Sequence, residues 1–326
     1  MDPPYIEPLH STAHILVVNM NEGQEEGVPV MQPDLSGIKV AVLCGDAREI
    51  ILVERLAALG ALVKVVDLPV AETNNIKVYQ SPVEGLADVH AVILPVPGIN
   101  DQGEIYTAYG EQPWILSADL FTHLAPNTPV FVGAAKPRLK ELVQKAGLVL
   151  IEVMQLDEVA ILNSIPSAEG ALQLAMEQTD ITIHGSCTMI LGFGRTGMTL
   201  ARMTHALGAH TIVVVRNFAQ KARAQEMGFI VMDYQEMLQK LNQVDIIFNT
   251  VPAMVLDEPE LAMVSPQTLI VDIASAPGGI NFKAANQKGI HAMLAPGLPG
   301  KVAPRTAGNI LAEVIPRLLA EHMATH

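Results

Sequence analysis

The chain has 326 residues, enough for two domains of ordinary size, and carries a formal net charge of −14. Such an acidic surface argues against a protein built to coat nucleic acid or anionic lipid. Hydrophobic residues make up 50% of the sequence and aromatic ones only 4%, so the apolar content is mainly Ala, Val, Ile, Leu and Met, the usage of buried parallel strands and their covering helices.

Residues 1–33 are rich in Pro, Glu and Asn around one short apolar run, "HILVVNM", and read as a loosely attached extension. Their start, "MDPPYIEPLHS", is acidic and proline-rich where a signal peptide is basic and then apolar. No apolar run reaches the roughly 20 residues that span a bilayer, so a cytoplasmic protein is expected. The two cysteines, Cys44 and Cys187, lack metal-ligand or CxxC spacing, and we expect buried, reduced thiols and no metal.

From Asp34 the pattern changes. "GIKVAVLCGDAREIILVERLAALGALVKVVDLP" predicts a strand over Ile38–Leu43, a helix over Glu49–Leu59 and a strand over Leu62–Leu68. Strands at "AVILPVP" and "PVFVGAA", a helix at "KPRLKELVQKAG" and a strand at "LVLIEVM" complete a first parallel sheet. "NSIPSAEGALQLAMEQT" predicts a bridging helix with Ser167 as its N-cap. Six strand-like runs then follow, "CTMILG", "TIVVV", "FIVM", "DIIFNTVP", "TLIVDIAS" and "HAMLAP", each separated by a helix-length stretch. The expectation is an α/β protein with two Rossmann-like, doubly wound parallel-sheet domains. The first covers 34–160 and the second 161–303, and a terminal helix over 304–326 returns to complete the first.

Gly192, Gly194 and Gly197 form G-x-G-x-x-G between a strand and a helix. In such a turn the first glycine permits the tight bend, the second lets a pyrophosphate touch the backbone, and the third lets helix and strand approach. The helix start, with Arg195 and Thr196, offers N–H groups and partial positive charge to phosphates. Arg216 ends the second strand, 19 residues after Gly197, where an NAD site carries an acid for the ribose 2′-hydroxyl. A guanidinium instead forms a charge-assisted fork with a 2′-phosphate, so Arg216 predicts NADP, with Asn217 and Arg195 as further donors. "FNTVP", with Thr250, Val251 and Pro252, and "DIASAPGG", with Ala274 and Ser275, sit at strand ends facing the same crevice. Asn249 or Thr250 is alternatively a helix cap.

The stretches "IKVAVLCGDAR", "NSIPSAEGALQLAM", "LGFGRTGMTLAR", "VDIASAPGGINF" and "LAPGLPGKVAPRTAGNIL" together resemble the dipicolinate synthase A-chain family of endospore-forming bacteria, over about Leu35 to Leu319. Residues 1–33 depart from that resemblance. It implies an NADP-dependent oxidation of dihydrodipicolinate, or its hydroxylated precursor, to dipicolinate in the mother-cell cytoplasm. It also implies that the partner is a flavoprotein-like B subunit, and we expect assembly with further copies of the same chain.

A ring with two carboxylates needs cationic or N–H partners. The candidates at loops and strand ends are Arg48 in "GDAR", Lys136 and Arg138 in "AAKPR", Lys301 and Arg305 in "PGKVAPR", and Ser275. Asp46 reads as a helix cap, and His123 and His291 are possible acid–base groups without a nameable partner. Two alternatives stay open. One is a D-2-hydroxyacid dehydrogenase, which would carry arginine where Ser275 stands and histidine where Arg305 stands. The other is a non-catalytic NADP-binding partner of another protein.

Overall fold

The computed structural model describes residues 32–325; the extension read from 1–33 thus lies almost wholly outside the described residues. The first half runs β1 Lys39–Leu43, α1 Ala47–Ala58, β2 Leu62–Val66, β3 Ile76–Tyr79, α2 Pro82–Leu86, β4 Ala91–Ile93, β5 Pro129–Val132, α3 Pro137–Lys145 and β6 Val149–Glu152. Helix α4, Asp157–Gln178, leads to the second half. That half runs β7 Cys187–Leu191, α5 Arg195–Ala206, β8 His210–Val214, α6 Phe218–Glu226, β9 Ile230–Met232, α7 Tyr234–Lys240, β10 Ile246–Asn249, α8 Glu258–Leu261, β11 Leu269–Asp272, α9 Phe282–Gln287 and β12 His291–Leu294. Two helices close the chain, α10 Leu298–Val302 and α11 Pro304–Thr325.

The strands form two six-stranded sheets, β3-β2-β1-β4-β5-β6 and β12-β11-β10-β7-β8-β9, and the paired strands all run parallel. Read from the third strand inward, both sheets have the same order, so this is the doubly wound architecture expected from the sequence. Successive side chains of a strand alternate between faces. In β1, Val40 and Val42 join the core under α1, while Ala41 and Leu43 join the core of the opposite face. Such two-sided burial is what the continuous apolar runs required.

Four elements differ from the sequence-based expectation, the first being α10, which puts Lys301 in a short helix where a loop was expected. β3 and α2 were not anticipated, because "IKVY" is only four residues long with polar flanks. The bridging helix begins at Asp157, ten residues before Ser167, and so crosses the expected 160/161 boundary. Ser167 is therefore interior and gives its hydroxyl proton to the Asn163 carbonyl at 2.8 Å, with Pro166 inside the helix as well. Packing overrides the proline here: Ser164 Oγ lies 2.6 Å from Thr199 Oγ1 of α5, and Gly170 lets Leu298 and Val302 of α10 approach. At the chain's end, Leu311, Ile315 and Leu319 of α11 share a core with Leu52, Val53 and Leu56 of α1.

Candidate functional site

The second sheet carries a crevice of about 1010 Å³ at the carboxyl ends of its strands. Each glycine of the turn has a separate structural reason. Gly192 has φ +91°, and a Cβ there would come within 2.7 Å of Thr250 Oγ1. A Cβ on Gly197 would overlap the Gly192 carbonyl oxygen. Gly194 is different: its φ is −83° and a Cβ would meet nothing within 4 Å. A side chain at 194 would project into open space, the space that a pyrophosphate lying against the backbone needs. Gly194 is also the N-cap of α5 and supplies no side-chain bond to the helix start, so those N–H groups keep their capacity for an anion.

All twelve residues expected at the cofactor line this one crevice: Gly192, Gly194, Arg195, Thr196, Gly197, Arg216, Asn217, Thr250, Val251, Pro252, Ala274 and Ser275. Arg216 is exposed and forms no hydrogen bond or ion pair with the described residues. Asn217 caps α6, its Oδ1 accepting from Ala219 N at 2.7 Å, which leaves the amide NH₂ as its donor. The side chain of Arg195 turns toward α4, 3.0 Å from Asp157. Neither Asn249 nor Thr250 caps a helix. Thr250 Oγ1 donates to the Leu191 carbonyl at 2.8 Å, tying the ends of β7 and β10 together.

Sequence reasoning missed two features here. Asn249 and Asp272 are fully buried and bonded at 2.9 Å. Asp272 also accepts from Ala274 N at 3.0 Å and Gly279 N at 2.7 Å, so this acid shapes the loop at the crevice mouth. An acid ending the apolar run "LIVD" was its signal. Tyr234 also lines the crevice. Its hydroxyl donates to Glu260 at 2.6 Å, and burial together with that bond pushes its ionisation up to about 12.

The substrate candidates are scattered. Ser275 is exposed at the crevice mouth. Lys136 lines a separate cavity of about 450 Å³ in the first sheet, 3.6 Å from Asp101, and Arg138 donates to the Asp101 carbonyl at 3.3 Å. Lys301 and Arg305 are exposed and line neither cavity. Arg48 is a loop residue no longer: it lies in α1, only 6% exposed, with Nε and Nη2 forked onto Asp46 at 2.9 and 2.7 Å. Gly300 of α10 lets its chain lie against that guanidinium, since a Cβ there would come 3.0 Å from Arg48 Cζ. Asp46 is the N-cap expected, in a capping box with Glu49. Burial pushes the Glu49 carboxyl up to about 7, although Asp46 N and Val96 N both donate to it. Of the two candidate histidines, His291 opens β12 beside Leu269, at the sheet end opposite the crevice, and His123 is exposed and not part of the lining. Neither is placed for acid–base work in the crevice. Among the described residues no group of His, Cys, Asp and Glu is arranged to hold a metal ion, and no helix is long and apolar enough to cross a membrane.

The family model described as the N-terminal domain of the dipicolinate synthase A-subunit matches residues 39–154. That of the D-isomer specific 2-hydroxyacid dehydrogenase NAD binding domain matches residues 167–278. The dipicolinate synthase A-subunit from Bacillus subtilis (strain 168) is 38% identical over 292 residues, which cover 89% of this chain and 98% of that protein. The crystal structure of the same protein from Bacillus halodurans superposes with a TM-score of 0.84 at 36% identity, covering 88% of this chain and 99% of that one. D-lactate dehydrogenase from Escherichia coli, at 13% identity, covers 88% of this chain and 98% of its own with a TM-score of 0.60, a likeness of fold alone. The second sheet, with its matching domain model and open glycine turn, is the nicotinamide-dinucleotide domain of an oxidoreductase.

Proposed function

From the premise that this chain belongs to the family of dipicolinate synthase A-subunits, we propose that it uses NADP to oxidise dihydrodipicolinate, or its hydroxylated precursor, to dipicolinate. A partner B subunit takes part, in keeping with relatives that are named as one component of a synthase, and the setting is the cytoplasm of the sporulating mother cell. When bound, the nicotinamide would accept a hydride from dihydrodipicolinate, whose ring also gives up a proton as it becomes aromatic; the hydroxylated precursor must lose water as well. The observation that carries the choice of cofactor is Arg216: an uncommitted guanidinium on the rim of the crevice, where an NAD site has a carboxylate.

In this reading Gly194 and the start of α5 receive the pyrophosphate, Arg216 and the Asn217 amide hold the 2′-phosphate, and Thr250 to Pro252 with Ala274 and Ser275 line the path to the nicotinamide end. The gain of aromaticity drives the step, so the chain's main task is to orient the ring and exclude water. None of Arg48, Lys301 and Arg305 lines the crevice; of the three, Arg48 is favoured for a substrate carboxylate, because it is held in place. Its guanidinium is buried, fixed by Asp46, and placed where α1 meets α10, so a bond from its remaining nitrogen requires little further ordering.

The test is an assay of the purified chain, with and without the B subunit, for dipicolinate absorbance and NADP reduction on freshly generated dihydrodipicolinate. Coupled formation of both products supports the proposal. NADPH binding with no turnover in the presence of the B subunit would leave a non-catalytic nucleotide-binding protein instead.

A further inference from the structure

Among the described residues, one buried side-chain polar atom lacks a hydrogen-bond partner, and it lies far along the chain from the nucleotide turn: Oδ2 of Asp67. Asp67 is the first residue past β2 and has left-handed backbone, φ +59°. It lines a cavity of about 320 Å³ with Tyr79, Tyr109 and Trp114. The chain has five tyrosines and one tryptophan, and three of those six rings stand around this one acid.

Asp67 is half-buried with its Oδ2 shut away from water; a buried charge is ordinarily paired with a cation, yet no ion pair reaches Asp67 among the described residues. No lysine or arginine lines the cavity; Lys64, outside it, lies 5.3 Å from the Tyr79 ring centre and donates to the Ala87 carbonyl. Cys44 adjoins the acid as a neutral thiol, its ionisation pushed up to about 12 by burial and then by Asp67. Gly110 closes over the carboxylate so tightly that a side chain there would overlap Oδ2. The segment that covers the acid therefore also supplies Tyr109 and, four residues on, Trp114.

We propose that this cavity binds a small organic cation bearing an N–H donor, held by the Asp67 carboxylate and the faces of Tyr79, Tyr109 and Trp114. Aromatic faces attract cations, the more so when water is excluded. The position suits a ligand, because the cavity opens past the carboxyl ends of β2 and β3, where parallel sheets take theirs, and its volume suits a small one. A phosphorylated ligand is disfavoured, since the neighbouring helix start is already occupied by Asp46 and Glu49. The lining shares no residue with the nucleotide crevice, so cation and dinucleotide should bind independently.

Trp114 is the chain's single tryptophan and reports on the cavity directly. The full chain is titrated near neutral pH with benzylamine, its neutral counterpart benzyl alcohol, benzoate and adenosine, by tryptophan emission and by calorimetry. Expected is saturable benzylamine binding with a Kd below about 10 mM, at least about tenfold tighter than benzyl alcohol, with none for benzoate. Saturating NADP should leave that Kd unchanged. Asp67→Asn should weaken benzylamine by about tenfold or more. Should that variant fold poorly, Tyr109→Ala, at a ring 45% exposed, keeps the acid and should weaken benzylamine severalfold. The proposal is overturned by absence of saturable benzylamine binding, by equal affinity for benzyl alcohol, by an unchanged Kd in both variants, or by tighter binding of adenosine, which is uncharged at this pH.

Discussion

The two sheets solve the same turn in opposite ways. Leu43 pairs with Val66 at the end of β1 and β2, and Leu191 with Val214 at the end of β7 and β8, which puts the turns in register. Cys44 then corresponds to Gly192, Asp46 to Gly194 and Glu49 to Gly197. Cys44 and Gly192 are both left-handed, at φ +59° and +91°, and Asp46 and Gly194 are both helix N-caps. In the first sheet two carboxylates take up the N–H groups around the start of α1, Asp46 accepting from Arg48 N at 3.0 Å and Glu49 from Asp46 N at 2.8 Å. In the second, two glycines leave the start of α5 bare. One topology therefore yields a turn closed by its own anions and a turn open to a foreign one.

The largest effect is expected where the closed turn is broken. Asp46→Ala removes both the cap of α1 and the partner of a guanidinium whose side chain is 7% exposed. Stripping one member from a buried pair costs about 3–5 kcal/mol, measurable by denaturant unfolding. A loss below about 1 kcal/mol would mean that the carboxylate does not hold this turn.

Gly194→Asp transplants the closed turn's cap into the open one. The site has room and suitable backbone, so stability without cofactor should rise by about 0.5–1 kcal/mol. NADPH affinity should fall by roughly a hundredfold or more, because the new carboxylate competes for the same N–H groups and repels phosphate. Intact binding in a folded variant would place the nucleotide elsewhere. Arg216→Ala comes next: loss of a charge-assisted fork costs about 1.5–3 kcal/mol, or roughly ten- to a hundredfold for NADPH, while NADH should be unaffected. Equal NADPH affinity in wild type and variant would remove Arg216 from the site.

Much of the open turn was legible in the sequence, because glycine spacing, flanking strands and the position of Arg216 are local signals. The closed turn was only half legible. "GDAR" announces a cap, but nothing in it tells that Arg48 is buried, for its burial comes from α10 and α11 folding back, a contact more than 250 residues away in sequence. The same is true of Lys301 and Arg305. They lie in α10 and α11 rather than in a loop, and their side chains are exposed while Gly300 and Gly308, on either side of the pair, carry the contact with α1. The start of α4 was missed for a related reason: proline and serine are local stop signals, and the helix continues through them on the strength of its packing against α5 and α10.

A smaller effect distinguishes the closed turn by pH. The folded protein holds Glu49 near 7, above the ordinary 4.5, with burial as the main cause. The protonated form is thus favoured by folding, and its stabilisation is complete below the ordinary glutamate range and lost as pH rises through about 7. Glu49→Gln lacks this titration, so the melting temperature of the wild type relative to the variant should fall from about pH 5 to pH 8. Parallel profiles would show that Glu49 is ionised throughout, held by Arg48 and the two N–H donors.

The smallest effect concerns Arg195, the first residue of α5, whose guanidinium lies 3.0 Å from Asp157 with the two side chains 41% and 82% exposed. An exposed pair of this kind contributes about 0–1 kcal/mol, so Asp157→Asn should barely change unfolding and should leave NADPH binding at least as strong. Arg195→Ala is the more informative variant, because a cation beside the open turn has two possible phosphate partners. If it assists the 2′-phosphate, as its neighbourhood to Arg216 suggests, NADPH should weaken severalfold and NADH should not. An equal loss for both dinucleotides would assign Arg195 to the pyrophosphate. In that case Arg216 and Asn217 carry the discrimination alone, and doubling Arg195→Ala with Arg216→Ala should change the NADPH-to-NADH preference no further than Arg216→Ala by itself.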